Sequence, residues 1–241
     1  IANNGEGAPL AHIFHNLLSK NINEKYSINF PVCFLNIGGI SNITKIIKKD
    51  EKLEENLEAF DSGPGNCMID EWVRKNSKNN FDKNGLIAKS GKIDQLILNQ
   101  VIDNFELSSF DKSLDIKDFD ISFARGLSLE NGCATITNFT AYLIAKGIEH
   151  ANGNNSDLIK FLVCGGGRKN DFLINSIKNY LSHKKNISLN SIDDYSLNGD
   201  YIESQAFGYL AIRSFLNLPI SYPKTTGCVT PTVGGKLVQS F

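Results

Sequence analysis

Asp61 begins the string Asp61-Ser62-Gly63-Pro64-Gly65-Asn66, which follows a short apolar stretch and runs into an amphipathic one. A carboxylate at a strand end can serve as a general base where its surroundings let it accept a proton. The glycines behind it allow the backbone to approach a ligand, because a residue without Cβ reaches conformations and distances closed to others. A helix starting there aims N–H groups and the positive end of its dipole at one spot, which suits a phosphate. Residue types and spacing together indicate phosphoryl transfer. The structural alternative is an ordinary turn in which Asp61 bonds its own backbone.

Two other glycine strings permit the same chemistry. Asn36-Ile37-Gly38-Gly39-Ile40 reads as a hairpin tip, either a backbone cradle for a polyphosphate or a two-residue type I′ turn that needs no ligand. Cys164-Gly165-Gly166-Gly167 follows an apolar strand and precedes a helix. Ligands of open α/β sheets sit beyond the carboxyl ends of strands, and three glycines cost more chain entropy than a plain turn requires. Glu203 falls in the first turn of a later helix, where a carboxylate also complements the helix dipole. His12 and His15 share a helix face, but no third ligand accompanies them, so no metal held by side chains is expected. G-x-x-x-x-G-K-[ST], G-x-S-x-G and zinc motifs are absent, and Met68 breaks a near match to G-x-G-x-x-G.

The elements that must hold these residues follow from periodicity. Residues 8–20 read as a helix with Leu10, Ile13, Phe14, Leu17 and Leu18 on one face. Residues 32–37 and 40–47 read as paired strands, 59–61 as a short strand and 66–75 as a helix. Residues 86–105 look helical with an interruption near Gly91, and 106–130 look irregular. A helix over 133–150, a buried strand over 158–164, a helix over 171–181 capped by Asn170, a strand over 187–189 and a helix over 201–216 complete the order. The last 25 residues form a Pro/Gly-rich tail. This is an α/β fold with a mixed sheet and flanking helices: three antiparallel strands first, then parallel strands alternating with helices.

Composition narrows the class. With 241 residues, 41% of them hydrophobic, the chain buries a sizeable core. Its 25 basic and 26 acidic residues exclude a broad basic face, so neither nucleic acid nor an anionic membrane is an expected partner. Five scattered cysteines, none in a C-x-x-C pair, read as buried thiols in a reducing compartment, which implies a cytoplasmic protein. No apolar run is long enough to span a membrane. The opening string Ile1 to Leu10 reads like the middle of a longer protein.

Taken in order, these strings resemble the anhydro-N-acetylmuramic acid kinase family of the actin-like, sugar-kinase ATPase superfamily. The similarity runs through Gly5-Glu6-Gly7-Ala8-Pro9-Leu10, Asn36 to Gly39, Asp61 to Asn66, Cys164 to Gly167, Tyr201-Ile202-Glu203 with Ala206-Phe207, and Thr226-Gly227. It implies a ribonuclease-H-like domain over residues 31–241, with residues 1–30 a remnant of an N-terminal, sugar-side domain that is largely missing. It implies a kinase of cell-wall recycling in which ATP, with Mg2+, phosphorylates O6 of 1,6-anhydro-N-acetylmuramic acid while water opens the ring at C1. Asp61 would activate that water and Glu203 would contact sugar or water. Asn36, Gly38, Gly39, Gly63, Gly65 and Gly165 to Gly167 would bind ATP, and Gly5, Glu6, Gly7 and Pro9 would line the sugar side. The partners are then an amino sugar and ATP, with room for a homodimer. Glu6 departs from the family's usual Gln, Ser62 from its commoner Thr, and the family's N-terminal phosphate hairpin has no counterpart here. The alternatives are a non-catalytic nucleotide-binding or actin-like protein of the same fold and, less well matched, a Rossmann oxidoreductase.

Overall fold

The structure, a computed structural model, describes residues 3–5, 10–49, 52–105, 110, 113–236 and 238. Its centre is a five-stranded sheet in the order β3-β2-β1-β4-β5, built from β1 (Val32–Ile37), β2 (Ile40–Ile46), β3 (Leu57–Pro64), β4 (Ile159–Cys164) and β5 (Ile187–Ser191). β2 pairs antiparallel with β1 and β3, whereas β4 runs parallel to β1 and β5 parallel to β4. Only β2 opposes the others, which is the ribonuclease-H-like arrangement. The central strands read as nearly continuous apolar runs because both of their faces are covered.

One face carries α3 (Cys67–Asn76), α4 (Leu86–Ser90), α5 (Gln95–Asn104), α6 (Leu129–Asn152) and α7 (Asp171–Tyr180). Leu35, Ile37, Phe161 and Val163 meet Met68, Phe139, Ile144 and Leu173 there. Helix α6 crosses β3 closely: a Cβ on Gly147 would stand 2.4 Å from Ser62 Cβ. The other face carries α1 (His12–Tyr26) and α8 (Ile202–Phe215), whose Ile13, Phe14, Leu18, Ile202, Ala206 and Leu210 pack on Val32, Phe34, Leu57 and Leu162. α1 lies across this face, with eight of its fifteen residues buried.

Several boundaries differ from the sequence reading. α1 runs six residues beyond the expected end at Lys20 and stops where Ser27 turns left-handed at φ 50°. α2 (Leu53–Asn56) forms between β2 and β3, and α9 (Pro223–Thr226) orders part of the expected tail. β3 is eight residues long rather than three: Leu57 and Glu58 already pair with Ile46 and Lys45, and Gly63 and Pro64 pair with Ser41 and Ile40 beyond an irregularity at Ser62. Asn170 caps α7 as its type predicts, accepting from Leu173 N at 3.0 Å.

The hairpin register corrects the expected two-residue turn. Ile37 pairs with Ser41 and Asn36 with Asn42, so three residues separate the last pair. Neither Gly38 nor Gly39 has positive φ, which a type I′ turn requires at both positions. The turn carbonyls are drawn outward to α3: Gly65 N and Cys67 N donate to Gly39 O at 2.8 and 3.1 Å, and Asn66 N donates to Gly38 O at 2.7 Å.

Candidate active site

Because β1, β3 and β4 are mutually parallel, their carboxyl ends meet at one edge of the sheet, together with the start of β2. Every glycine turn singled out above, and Asp61, therefore lies at that edge. The register places Asn36, Asn42 and Asp61 in one row across β1, β2 and β3, on the face covered by α1 and α8.

Asp61 is 7% exposed, and its Oδ2 accepts from Leu114 N at 2.8 Å. Burial raises its carboxyl from the usual aspartate value, and the Leu114 N–H partly offsets that rise. A raised, anchored carboxylate of this kind is suited to taking a proton.

The glycines divide into two groups. Gly63, Gly65, Gly165 and Gly167 are required by the chain itself. Gly63 has φ +139°, and a Cβ there would meet Leu143 Cβ at 3.1 Å; at Gly65 it would meet Gly38 O at 2.2 Å. Gly165, at φ +79°, abuts Asn36 Oδ1 and Ile37 O at 2.5 and 2.6 Å, and Gly167 abuts Ile37 Cγ2 at 2.2 Å. Gly38, Gly39 and Gly166 have room: a Cβ would meet nothing nearer than 3.5, 3.6 and 3.9 Å. Internal packing does not demand glycine at these three positions. The open glycines are also neighbours. Asn66 Nδ2 donates to Gly38 O at 3.1 Å and stands 3.9 Å from where a Gly166 Cβ would be.

The N–H groups of Gly65, Asn66 and Cys67, which the sequence reading aims at a phosphate, are taken up by the hairpin carbonyls. They hold the Gly38-Gly39 turn in place rather than forming the cradle. Glu203 sits exposed in the first turn of α8. Burial pushes the Cys164 thiol up to about 12, with the Glu203 charge among the further causes, which places Glu203 near the end of β4. Three strand spacings, on the order of 14 Å, separate β3 from β4. Asp61 thus stands at the β3 end of the row and Glu203 toward the β4 side. Gly5 packs against the end of α9 and the residues after it, where its Cβ would meet Thr226 O at 2.8 Å and Cys228 Cβ at 3.0 Å; Glu6, Gly7 and Pro9 lie outside the described residues.

Three residues of this region carry no obvious sequence signal of their own. Asn42 joins the row because the hairpin pairs it with Asn36, a partnership hidden by the assumed two-residue turn. Leu114 reaches Asp61 from 53 positions away. Arg168, within the string after the glycines, is a buried guanidinium described below. Among the described residues no group of three or more His, Cys, Asp or Glu could hold a metal ion, and no helix is long and apolar enough to cross a membrane. The five cysteines are buried and free.

A family model for anhydro-N-acetylmuramic acid kinase matches residues 1–240. The anhydro-N-acetylmuramic acid kinase of Pelagibacter ubique is 51% identical over the whole chain, which covers 63% of that protein. That of Zymomonas mobilis is 38% identical over 97% of the chain and 60% of its own length. Among solved structures, a ligand-bound xylulose kinase from Lactobacillus acidophilus aligns with a TM-score of 0.45 at 12% identity, over 81% of this chain and 41% of that one. The chain spans about three-fifths of the length of the curated relatives it matches. A match along essentially its full length places the chain in the anhydro-N-acetylmuramic acid kinase family.

Proposed function

We propose that this chain forms the nucleotide-binding part of an ATP-dependent kinase acting on 1,6-anhydro-N-acetylmuramic acid, as its family membership suggests, in cell-wall recycling. The observation that carries the reading is the cluster of open glycines, Gly38, Gly39 and Gly166, at the sheet edge that also holds Asp61. Turns with room to spare fit a polyphosphate lying directly on the backbone. Residues 31–241 make the nucleotide domain, and residues 1–30 bring the sugar-side loop to it.

ATP supplies the phosphoryl group, and Mg2+ bound through its phosphates would neutralise charge there. Asp61 takes a proton from water as the water oxygen bonds to C1 of the sugar. The C1–O6 bond breaks, and O6 takes the γ-phosphoryl group, giving N-acetylmuramic acid 6-phosphate and ADP. Leu114 N–H fixes the Asp61 carboxylate, while burial keeps it basic. Glu203, across the row, contacts sugar or water. Gly38 and Gly39 meet the phosphates, with Asn36 beside them, and Gly165 to Gly167 meet the adenosine.

The test is turnover in 18O-labelled water by a chain extended to the length of its relatives. Mass spectrometry should find the label at C1 of the sugar and none in the phosphate. Label in the phosphate, or no phosphorylated sugar, overturns the reading.

A further inference from the structure

The mechanism leaves one ion network unused, a buried guanidinium among exposed partners. Arg168 follows the glycine turn, and its side chain is only 5% exposed. Its Nε donates to Asp193 Oδ2 at 2.7 Å and Nη2 to Asp193 Oδ1 at 3.2 Å. Its Nη1 donates to Asp200 Oδ1 at 2.7 Å and to Gly165 O at 3.0 Å. Lys169 Nζ holds the other Asp200 oxygen at 2.5 Å. Asp193 Oδ1 also accepts from Gly199 N at 2.9 Å. Gly199 is glycine because the guanidinium fills its side-chain space: a Cβ there would stand 2.4 Å from Arg168 Nε.

One guanidinium thus joins three segments: the left-handed Gly165 turn, the 3-10 turn Ile192–Tyr195 after β5, and Asp200, three residues before Glu203. A planar fork fixes direction as well as distance, which a flexible ammonium does not. Its Gly165 bond orients the carbonyl of the residue that opens the glycine turn, and its Asp200 bond anchors the approach to α8. We propose that Arg168 is a positioning residue that locks the Gly165–Gly167 turn to the N-terminus of α8, so that the nucleotide turn and Glu203 keep one fixed relation. This rests on the nucleotide reading above.

The test, in a chain extended to the length of its relatives, compares the parent with Arg168→Lys, which keeps the charge and loses the fork, and with Asp193→Asn, which weakens the same fork from its partner. Three quantities are measured: ATP affinity by calorimetry in the presence of Mg2+, hydrogen exchange at Gly199 N–H without nucleotide, and the thermal midpoint. Both variants should bind ATP roughly tenfold or more weakly, since binding must then reorder the turn. Gly199 should exchange faster in both, and the midpoint should stay within a few degrees of the parent's. A merely stabilising ion network would instead lower the midpoint and leave the affinity of the folded fraction unchanged. Parent binding that Arg168→Lys leaves unaltered overturns this inference alone. A parent chain that binds no ATP overturns the nucleotide reading, and this inference with it.

Discussion

Replacing Gly65 with alanine should separate glycines that the fold needs from glycines that it does not. The added Cβ would lie 2.2 Å from Gly38 O, 3.0 Å from Gly38 C and 3.2 Å from Gly39 O, all of them backbone atoms that cannot rotate away. Ordinary contact begins at 3.4 Å, so the hairpin tip and the start of α3 must part by more than an ångström. That motion breaks the bonds from Gly65 N, Asn66 N and Cys67 N to the turn carbonyls. α3 has no side-chain cap to replace them. Three hydrogen bonds at about 1 kcal/mol each give a loss of ~3 kcal/mol. For a chain of this size that lowers the thermal midpoint by ~6–12 °C. Gly38→Ala is the contrast: its Cβ meets nothing nearer than 3.5 Å, so the midpoint should hold while ATP binding weakens. Trp72, the single tryptophan, is buried in α3 and reports unfolding by fluorescence. A Gly65→Ala midpoint within a degree of the parent's, or a Gly38→Ala midpoint as low as that of Gly65→Ala, refutes the division.

Acid should destabilise the fold through α1. Burial holds His12 and His15 near 3, with His15 a second cause for His12, so the folded chain keeps both neutral while the unfolded chain takes up protons below 6.5. Their contribution is complete above pH 6.5 and is lost as pH falls toward 3, at up to about 1.4 kcal/mol per pH unit for each histidine. Urea unfolding at pH 7.5 and pH 5 measures the loss, and equal stability at the two values would contradict it. Gly208→Ala should act in the opposite direction: the site lies within α8 with nothing within 4 Å of the new Cβ, so helix propensity adds ~0.5–1 kcal/mol. A lowered midpoint in that variant would show that the exposed side of α8 is packed against something.

Much of this architecture can be read from residue patterns. β1 and β4 are apolar runs between punctuating residues, and Asn170 marks the start of α7 by its type alone. The misreadings have local physical causes. Polar Asn21 to Tyr26 extend α1 because tertiary contacts such as Ile22 against the sheet override a weak apolar pattern. Two adjacent glycines resemble a tight hairpin, yet the pull of α3 on their carbonyls opens the turn by one residue and so pairs Asn36 with Asn42. The bond from Leu114 to Asp61 crosses a stretch that looks irregular and has no local signature. Glycine itself is ambiguous in a sequence. Gly65 and Gly38 look alike there, and only the positions of neighbouring atoms show that one is filled by its own chain and the other stands open.

The most direct test of the account is Asp61→Asn in a chain extended to the length of its relatives, with sugar turnover and ATP affinity measured on the same preparation. The side chain keeps its size and loses its basicity, and the base acts on water rather than on the nucleotide. Turnover should fall by ~10² to 10⁴-fold, about 3–5 kcal/mol of barrier, with the ATP dissociation constant nearly unchanged. Near-normal kcat in Asp61→Asn would remove Asp61 from the chemistry and contradict the site described here.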